Sequence, residues 1–313
     1  RDDVESRGLG DVYKRQYKNN TQLVIFPKID TSNVTNLNNT FQGCTNLIYV
    51  PRFDSSKITT VTFSFGWRSE YTALRRLPDL KWPSLKRGYG PYTGLRSLTM
   101  MPTEPFDFSA ATYLNCPFAY SRIPASFPGV KFNTDAPVQL EQFFVEAIID
   151  GELPITEFPD NVSLLNATYA NCTLVAQRDL SDLTIRAHGA TTGPNRIFAN
   201  VNLTHAPRLD MPLANNFKWM FAWCHYLLIV PDYTASAPET MEEMLQGDHG
   251  TYPLERVEGL NFARVTNAAI FGTETGYGRQ KPYLRYMRII NLGQSELTAY
   301  DFSLATVWGT GSE

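Results

Sequence analysis

The chain is poor in charge. Charged residues make up 19% of its 313 positions, below the roughly 25% usual in globular domains. Neither sign dominates: 28 Lys and Arg face 31 Asp and Glu, for a net charge of −3. That balance lacks the basic footprint of a nucleic-acid-binding surface. No apolar run approaches the roughly 18 to 20 residues of a membrane span, so no membrane insertion is expected from this stretch. Histidine and cysteine are scarce, four of each, and no CxxC or HxxxH spacing occurs. The pattern therefore offers no metal site. What remains is a buriable chain, 43% hydrophobic and 13% aromatic, outside the composition of disordered segments.

The ends differ from the body. Residues 1–16 are polar and match nothing downstream, so they are read as a leader or a sequence artefact outside the fold. Residues 17–313 are expected to form one domain. A motif beginning at Asp301 stops shortly after Trp308, which leads us to expect a repeat array continuing past Glu313.

Within the body the sequence repeats itself. Asp30-Thr-Ser-Asn-Val-Thr35 recurs as Asp54-Ser-Ser-Lys-Ile-Thr59, Asp107-Phe-Ser-Ala-Ala-Thr112 and Asp301-Phe-Ser-Leu-Ala-Thr306. Upstream lies an apolar residue followed by proline: Phe26-Pro27, Val50-Pro51, Leu77-Pro78 and Met101-Pro102, with gaps of 24, 27 and 24. A Leu often precedes the apolar residue by three positions, as at Leu23, Leu47, Leu74 and Leu98. A period in the twenties belongs to solenoids, and Leu-x-x-φ points to a leucine-rich repeat.

Downstream of the motif, Leu37, Phe41 and Cys44 lie at i, i+4 and i+7. Leu165, Tyr169 and Cys172 repeat this spacing, as do Phe217, Phe221 and Cys224, while Val61 and Phe65 keep its first two positions. The spacing is that of one face of a short helix. Thr35, Thr59, Ser163 and Asn215 stand two residues earlier and fit as N-caps. Gly43 suits a left-handed stop. The expected fold class is thus an α/β solenoid, a right-handed coil with a short parallel strand and a short helix per repeat, in about ten repeats. Each strand should stop at its proline. Lys86 to Thr93, Val175 to Asn195, Gly66 to Tyr71 and Gly272 to Pro282 break the rhythm and are read as inserted loops. Glu239 to Gln246 reads as a further helix, with Met241, Met244 and Leu245 inward.

The cysteines at 44, 172 and 224 share one column, at least two coils apart. Two coils separate them by roughly 10 Å, beyond the reach of a disulfide, so buried free thiols are expected. Cys116 fits two registers, one through Tyr113 and one through Leu114 and Phe118. No histidine sits in a motif with a nucleophile, since His225 follows Cys224 but neighbouring side chains diverge in direction, and no convergent acid, base and cofactor set appears. The expectation is a protein without enzymatic activity, cofactor or metal.

The residue before each inward strand position is the candidate partner-binding column: Tyr49, Arg76, Met100, Arg256 and Tyr286, with Ile25 and Ile229. Period-two alternation turns these outward, onto the concave sheet. Aromatic and Arg side chains there suit binding to a protein or glycan.

The stretch Leu23-x-x-Phe26-Pro27-x-Ile29-Asp30-Thr31-Ser32-x-Val34-Thr35-x-Leu37-x-x-Thr40-Phe41-x-x-Cys44-x-x-Leu47 resembles the BspA-like leucine-rich-repeat surface proteins. The resemblance implies an extracellular or cell-surface solenoid used for adhesion, and brings no catalytic residue. Similar repeats in phage-associated proteins make a tail or virion receptor-binding part the alternative.

Overall fold

A computed structural model describes residues 17–67, 71–78, 80–247, 253–266, 269–272 and 283–291. The chain divides into two compact units, Arg1–Ile155 and Thr156–Glu313. In the first lie β1 (Thr60–Thr62), β2 (Arg87–Tyr89), β3 (Phe106–Phe108), β4 (Tyr113–Asn115), β5 (Arg122–Ile123), β6 (Val130–Phe132), β7 (Val138–Glu141) and β8 (Ile148–Ile149). In the second lie β9 (Val162–Asn166), β10 (Thr173–Leu174), β11 (Thr184–Arg186), β12 (Thr192–Asn195), β13 (Arg208–Asp210), β14 (Ile229–Asp232), β15 (Arg256–Asn261) and β16 (Tyr286–Ile290).

Each unit is a parallel β-solenoid. In the first, β1, β2, β4 and β7 pair side by side, one strand per turn, with Val61 opposite Gly88, Gly88 opposite Leu114 and Leu114 opposite Leu140. Separate ladders join β3 to β6 and β5 to β8. In the second unit β9 pairs with β12, β11 with β13, and β14, β15 and β16 run in sequence. All of these pairings are parallel. About eight turns are described, against the ten repeats expected.

The helix expected in every repeat is absent from the described residues. The i, i+4, i+7 residues are nevertheless inside: Leu37, Phe41, Cys44, Phe65, Leu165, Tyr169, Cys172, Phe217, Phe221 and Cys224 are all buried. A kinked corner produces the same inward spacing as a helix. Two residues four apart adopt left-handed backbone, as in Cys116 and Tyr120, Gln142 and Glu146, Ala167 and Asn171, and Trp219 and Trp223. A left-handed residue every fourth position interrupts any α-helix. The N–H groups freed in this way turn sideways. Phe41 donates to the Ser64 carbonyl of the next turn at 2.7 Å, Phe118 to Phe143 at 3.0 Å and Phe221 to Met244 at 2.9 Å. Gly43 is left-handed as expected (φ 75°), but at a corner rather than a helix end. Glu239 to Gln246 follows the same rule: Met241, Met244 and Leu245 are buried, and Glu243 is a left-handed corner.

The apolar residue between the two kinks is aromatic in most turns, and these rings stack from turn to turn. In the first unit Phe41 stacks on Phe65 (5.4 Å), Phe65 on Tyr92 (6.3 Å), Tyr92 on Phe118 (5.3 Å) and Phe118 on Phe144 (5.6 Å). In the second, Tyr169 stacks on Phe198 (5.5 Å) and Phe198 on Phe221 (5.8 Å). Each such pair contributes about 0.5–1.5 kcal/mol beyond its area burial. Tyr17 begins the stack, 6.4 Å from Phe41.

Polar residues of the repeat join turns as well. Ser32, Ser56 and Ser109 donate their backbone N–H to Asp30, Asp54 and Asp107, an Asx-turn at each copy of the motif. The fourth copy, Asp301 to Thr306, lies outside the described residues. Thr31 Oγ1 donates to the Asp54 carbonyl (2.9 Å) and Ser55 Oγ to that of Lys81 (2.5 Å), both in the following turn. Thr59, read as a helix cap, has another role, which Thr112 shares. Thr59 and Thr112 hydroxyls reach back to the carbonyls of Thr35 and Lys86 in the preceding turn. The cysteine column does likewise: Cys44 Sγ donates to the Tyr17 carbonyl and Cys224 Sγ to that of Phe198, and Ser121 fills the column in its own turn by bonding the Tyr92 carbonyl. Cys116 takes the register through Leu114 and Phe118, and is itself a left-handed corner residue.

Two of the expected insertions belong to the solenoid. Lys86 to Thr93 supplies β2 and the stacked Tyr92, and Val175 to Asn195 supplies β11 and β12. Gly66 to Tyr71 and Gly272 to Pro282 fall partly outside the described residues. Proline does not always end a strand, since Pro231 lies within β14.

Removing one ring from the stack by Phe221→Ala should destabilise the protein by about 3–5 kcal/mol. Glu146→Gly should do the reverse, adding about 1 kcal/mol, because glycine adopts φ near 56° without strain. Urea denaturation of the two variants measures both. A Glu146→Gly variant less stable than the parent would refute the corner assignment.

Candidate functional site

Alternation along the second pass of each turn sets the outward column. Phe26, Val50, Leu77 and Met101 point into the core. Their predecessors point out, and Ile25 (58% exposed), Tyr49 (53%) and Met100 (52%) are among the most exposed large apolar residues. In the first unit Ile25 stands opposite Tyr49, and Arg76 opposite Met100. In the second, Ile229, Arg256 and Tyr286 stand in one row, above inward Val230, Val257 and Met287. The candidate column thus forms two bridged pairs in the first unit and one row in the second. Arg256 is already engaged, its guanidinium 4.7 Å from the Tyr286 ring centroid and 3.2 Å from the Glu258 carboxylate.

A second outward surface was not found in the sequence. On β2, β4 and β7, Arg87, Tyr89, Tyr113, Asn115 and Glu141 form one connected group. The Arg87 guanidinium lies 4.7 Å from the Tyr113 ring centroid, and the rings of Tyr89 and Tyr113 are 5.3 Å apart. Asn115 Nδ2 donates to Tyr113 Oη (3.1 Å) and to Glu141 Oε2 (3.0 Å). Reading Lys86 to Thr93 as an insertion hid this surface. The usable signal was Tyr92 and Leu95 at i+4 and i+7 from Gly88, masked because glycine holds the leading apolar position.

An open groove of about 520 Å³ in the first unit is lined by Lys28, Arg52, Lys81, Asp30 and Asp54. Its carboxylates have a structural role. Each accepts the N–H of its Asx-turn, and hydrogen bonds from Ser32 and Ser56 hold both below the ordinary Asp range.

The second unit carries an ionic network on β11 and β13. His188 Nε2 lies 2.8 Å from Asp210 Oδ2, and its Nδ1 lies 3.3 Å from Asp160 Oδ1. Arg186 bridges Asp210 and Glu157, each at 3.1 Å. The hydrogen bond to Asp210 raises the His188 pKa, and the reciprocal bond lowers that of Asp210. Both ring nitrogens face carboxylates, so neither is left to accept a proton from a nucleophile. The group acts as a clasp between turns, screened by solvent.

The four cysteines are buried and form no disulfide. Burial pushes Cys116 and Cys224 up to about 12, and Cys44 above its usual value. Such thiols stay protonated at neutral pH and are poor nucleophiles. Among the described residues no three His, Cys, Asp or Glu side chains are grouped to hold a metal ion, and no helix is long and apolar enough to cross a membrane.

The fold and these surfaces define a parallel β-solenoid with polar and aromatic outward rows. No family model, curated protein or solved structure matches the chain.

The His188 clasp sets a pH dependence. Its folded pKa is raised, so its stabilising effect is complete below the ordinary imidazole value of about 6.5 and fades as pH rises through the folded value. NMR titration should place the His188 midpoint above that value, and Asp210→Asn should lower it. A midpoint unchanged by Asp210→Asn would refute the clasp.

Proposed function

We propose that this protein is a non-enzymatic binding module, displayed outside the cell, that presents an outward row of its solenoid to a protein or glycan partner. This is the role implied by the resemblance to BspA-like leucine-rich-repeat surface proteins. The Leu-x-x-φ-Pro spacing supports the resemblance, and the kinked corner departs from the helix of the expected repeat. The observation that carries the reading is the exposure of Ile25, Tyr49, Arg76 and Met100, two pairs each held in register by a parallel bridge. A phenol ring, a thioether, an aliphatic side chain and a guanidinium on a rigid backbone supply contact area with little ordering entropy. The raised thiol pKa values and the doubly engaged His188 support a role without covalent chemistry.

Binding of fluorescently labelled protein to intact bacterial and epithelial cells tests the reading. The parent should bind at least one surface saturably. A Tyr49→Ala, Met100→Ala double variant should bind about tenfold more weakly, the loss of a little over 1 kcal/mol, with its melting temperature preserved. Non-saturable binding, or binding unaffected by the double change, would overturn it.

A further inference from the structure

We propose that the outer face of β2, β4 and β7, with the corner beside it, is a binding site for an uncharged polysaccharide chain laid along the stacking axis. The proposal rests on the binding reading above and assigns a different surface and a ligand class to it.

The first observation is where aromatic side chains stand at the corner. The left-handed positions of neighbouring turns are held by Asn39, Gly43, Gly90 and Gly94, residues that suit this backbone. Phe63 and Tyr120 occupy equivalent positions with φ of 46° and 58°. Gln142, Glu146, Trp219 and Trp223 hold the same backbone, so the conformation belongs to the fold, and what sets this corner apart is the cluster of rings it carries.

The second observation is that the neighbouring turn makes room for these rings. A Cβ on Gly90 would lie 2.6 Å from a ring carbon of Phe63, and one on Gly94 would lie 3.0 Å from the Gly66 backbone. Across the bare Gly94 position Trp67 meets the Tyr120 ring, two turns on, at 5.5 Å, while Phe63 and Trp67 are 4.1 Å apart. Phe63 and Trp67 are half-exposed.

The third observation is chemical. Tyr89 adjoins Gly90, so this aromatic corner continues into the sheet surface of Tyr89, Tyr113, Asn115 and Glu141. Tyr89 and Tyr113 come from successive turns, about 4.8 Å apart, and an extended chain of pyranose rings advances by a comparable step. Ring faces can take the C–H faces of sugars where the Arg87 guanidinium does not cover them, and the phenol, amide and carboxylate groups, already joined to one another through Asn115, can take hydroxyls. Arg87 and Glu141 cancel in charge, and no lysine stands on the outer face of these three strands. The surface therefore offers a polyanion no attraction.

Affinity electrophoresis in native gels containing hydroxyethyl cellulose, laminarin, mannan or xylan, with alginate as the polyanion control, tests this site. At least one neutral polymer should retard the parent protein, and alginate should not. Tyr113→Ala and Trp67→Ala should each weaken retardation about tenfold, and Leu213→Ala, an exposed position in the second unit, should leave it unchanged. Should Trp67→Ala unfold, Tyr113→Ala decides, because its ring lies on the sheet surface. Retardation by alginate alone, or retardation lost in Leu213→Ala but kept in Tyr113→Ala, overturns the proposal. So does the lack of retardation by every neutral polymer. If that last result accompanies saturable cell binding that depends on Tyr49 and Met100, the general binding role survives and the glycan site does not.

Discussion

At the corners of this protein, short bonds that reach back three residues, as from Ala119 to Cys116, stand beside backbone hydrogen bonds that run from one turn to the next. Phe41 to Ser64, Phe118 to Phe143 and Phe221 to Met244 are three instances. Such a bond exists only if the following turn presents its carbonyl at the same height and angle. Every turn must therefore trace nearly the same outline, and the repeat in the sequence follows from that requirement. The aromatic stack enforces it. A ring in each turn fixes the distance to the ring in the next, and the small-residue column beside it adds a bond from Cys or Ser to the preceding turn.

The same constraint explains the polar part of the motif. Its Asp closes an Asx-turn within the turn, and the following Thr or Ser ties the turn to its successor. These groups are needed for shape. Their repetition is not evidence of a ligand site, even where they line the groove of the first unit. Outward residues are under no such rule and vary freely from turn to turn. The two proposed binding surfaces draw on those variable positions: Tyr49 and Met100 on one, and Tyr89, Tyr113 and Asn115 on the other.

Strain follows the same division. A left-handed corner suits Gly or Asn, and several turns comply. Where Phe63, Tyr120, Trp219 or Trp223 stands instead, the turn tolerates an unfavourable backbone of about 1–2 kcal/mol per residue. In the second unit the Trp219 ring is covered by the Arg196 guanidinium at 3.8 Å and bonded through its indole N–H to Glu243. In the first, the Phe63 and Trp67 rings lie over bare glycines. The two corners thus carry similar residues in different surroundings.

The sequence by itself determined the period, the buried columns and the outward row. Burial depends on which side chains alternate inward, and the positions of Leu37, Phe41 and Cys44 state that directly. The helix could not be judged from the same spacing. An apolar residue at i, i+4 and i+7 faces inward on a helix and equally on a strand that kinks twice, and local pattern does not separate them. The tertiary structure decided between them by offering each corner N–H a carbonyl in the next turn. It also decided the surface of β2, β4 and β7. Gly88 in the leading column gives no apolar signal, and its place in the core appears only when Val61 and Leu114 close on it from either side.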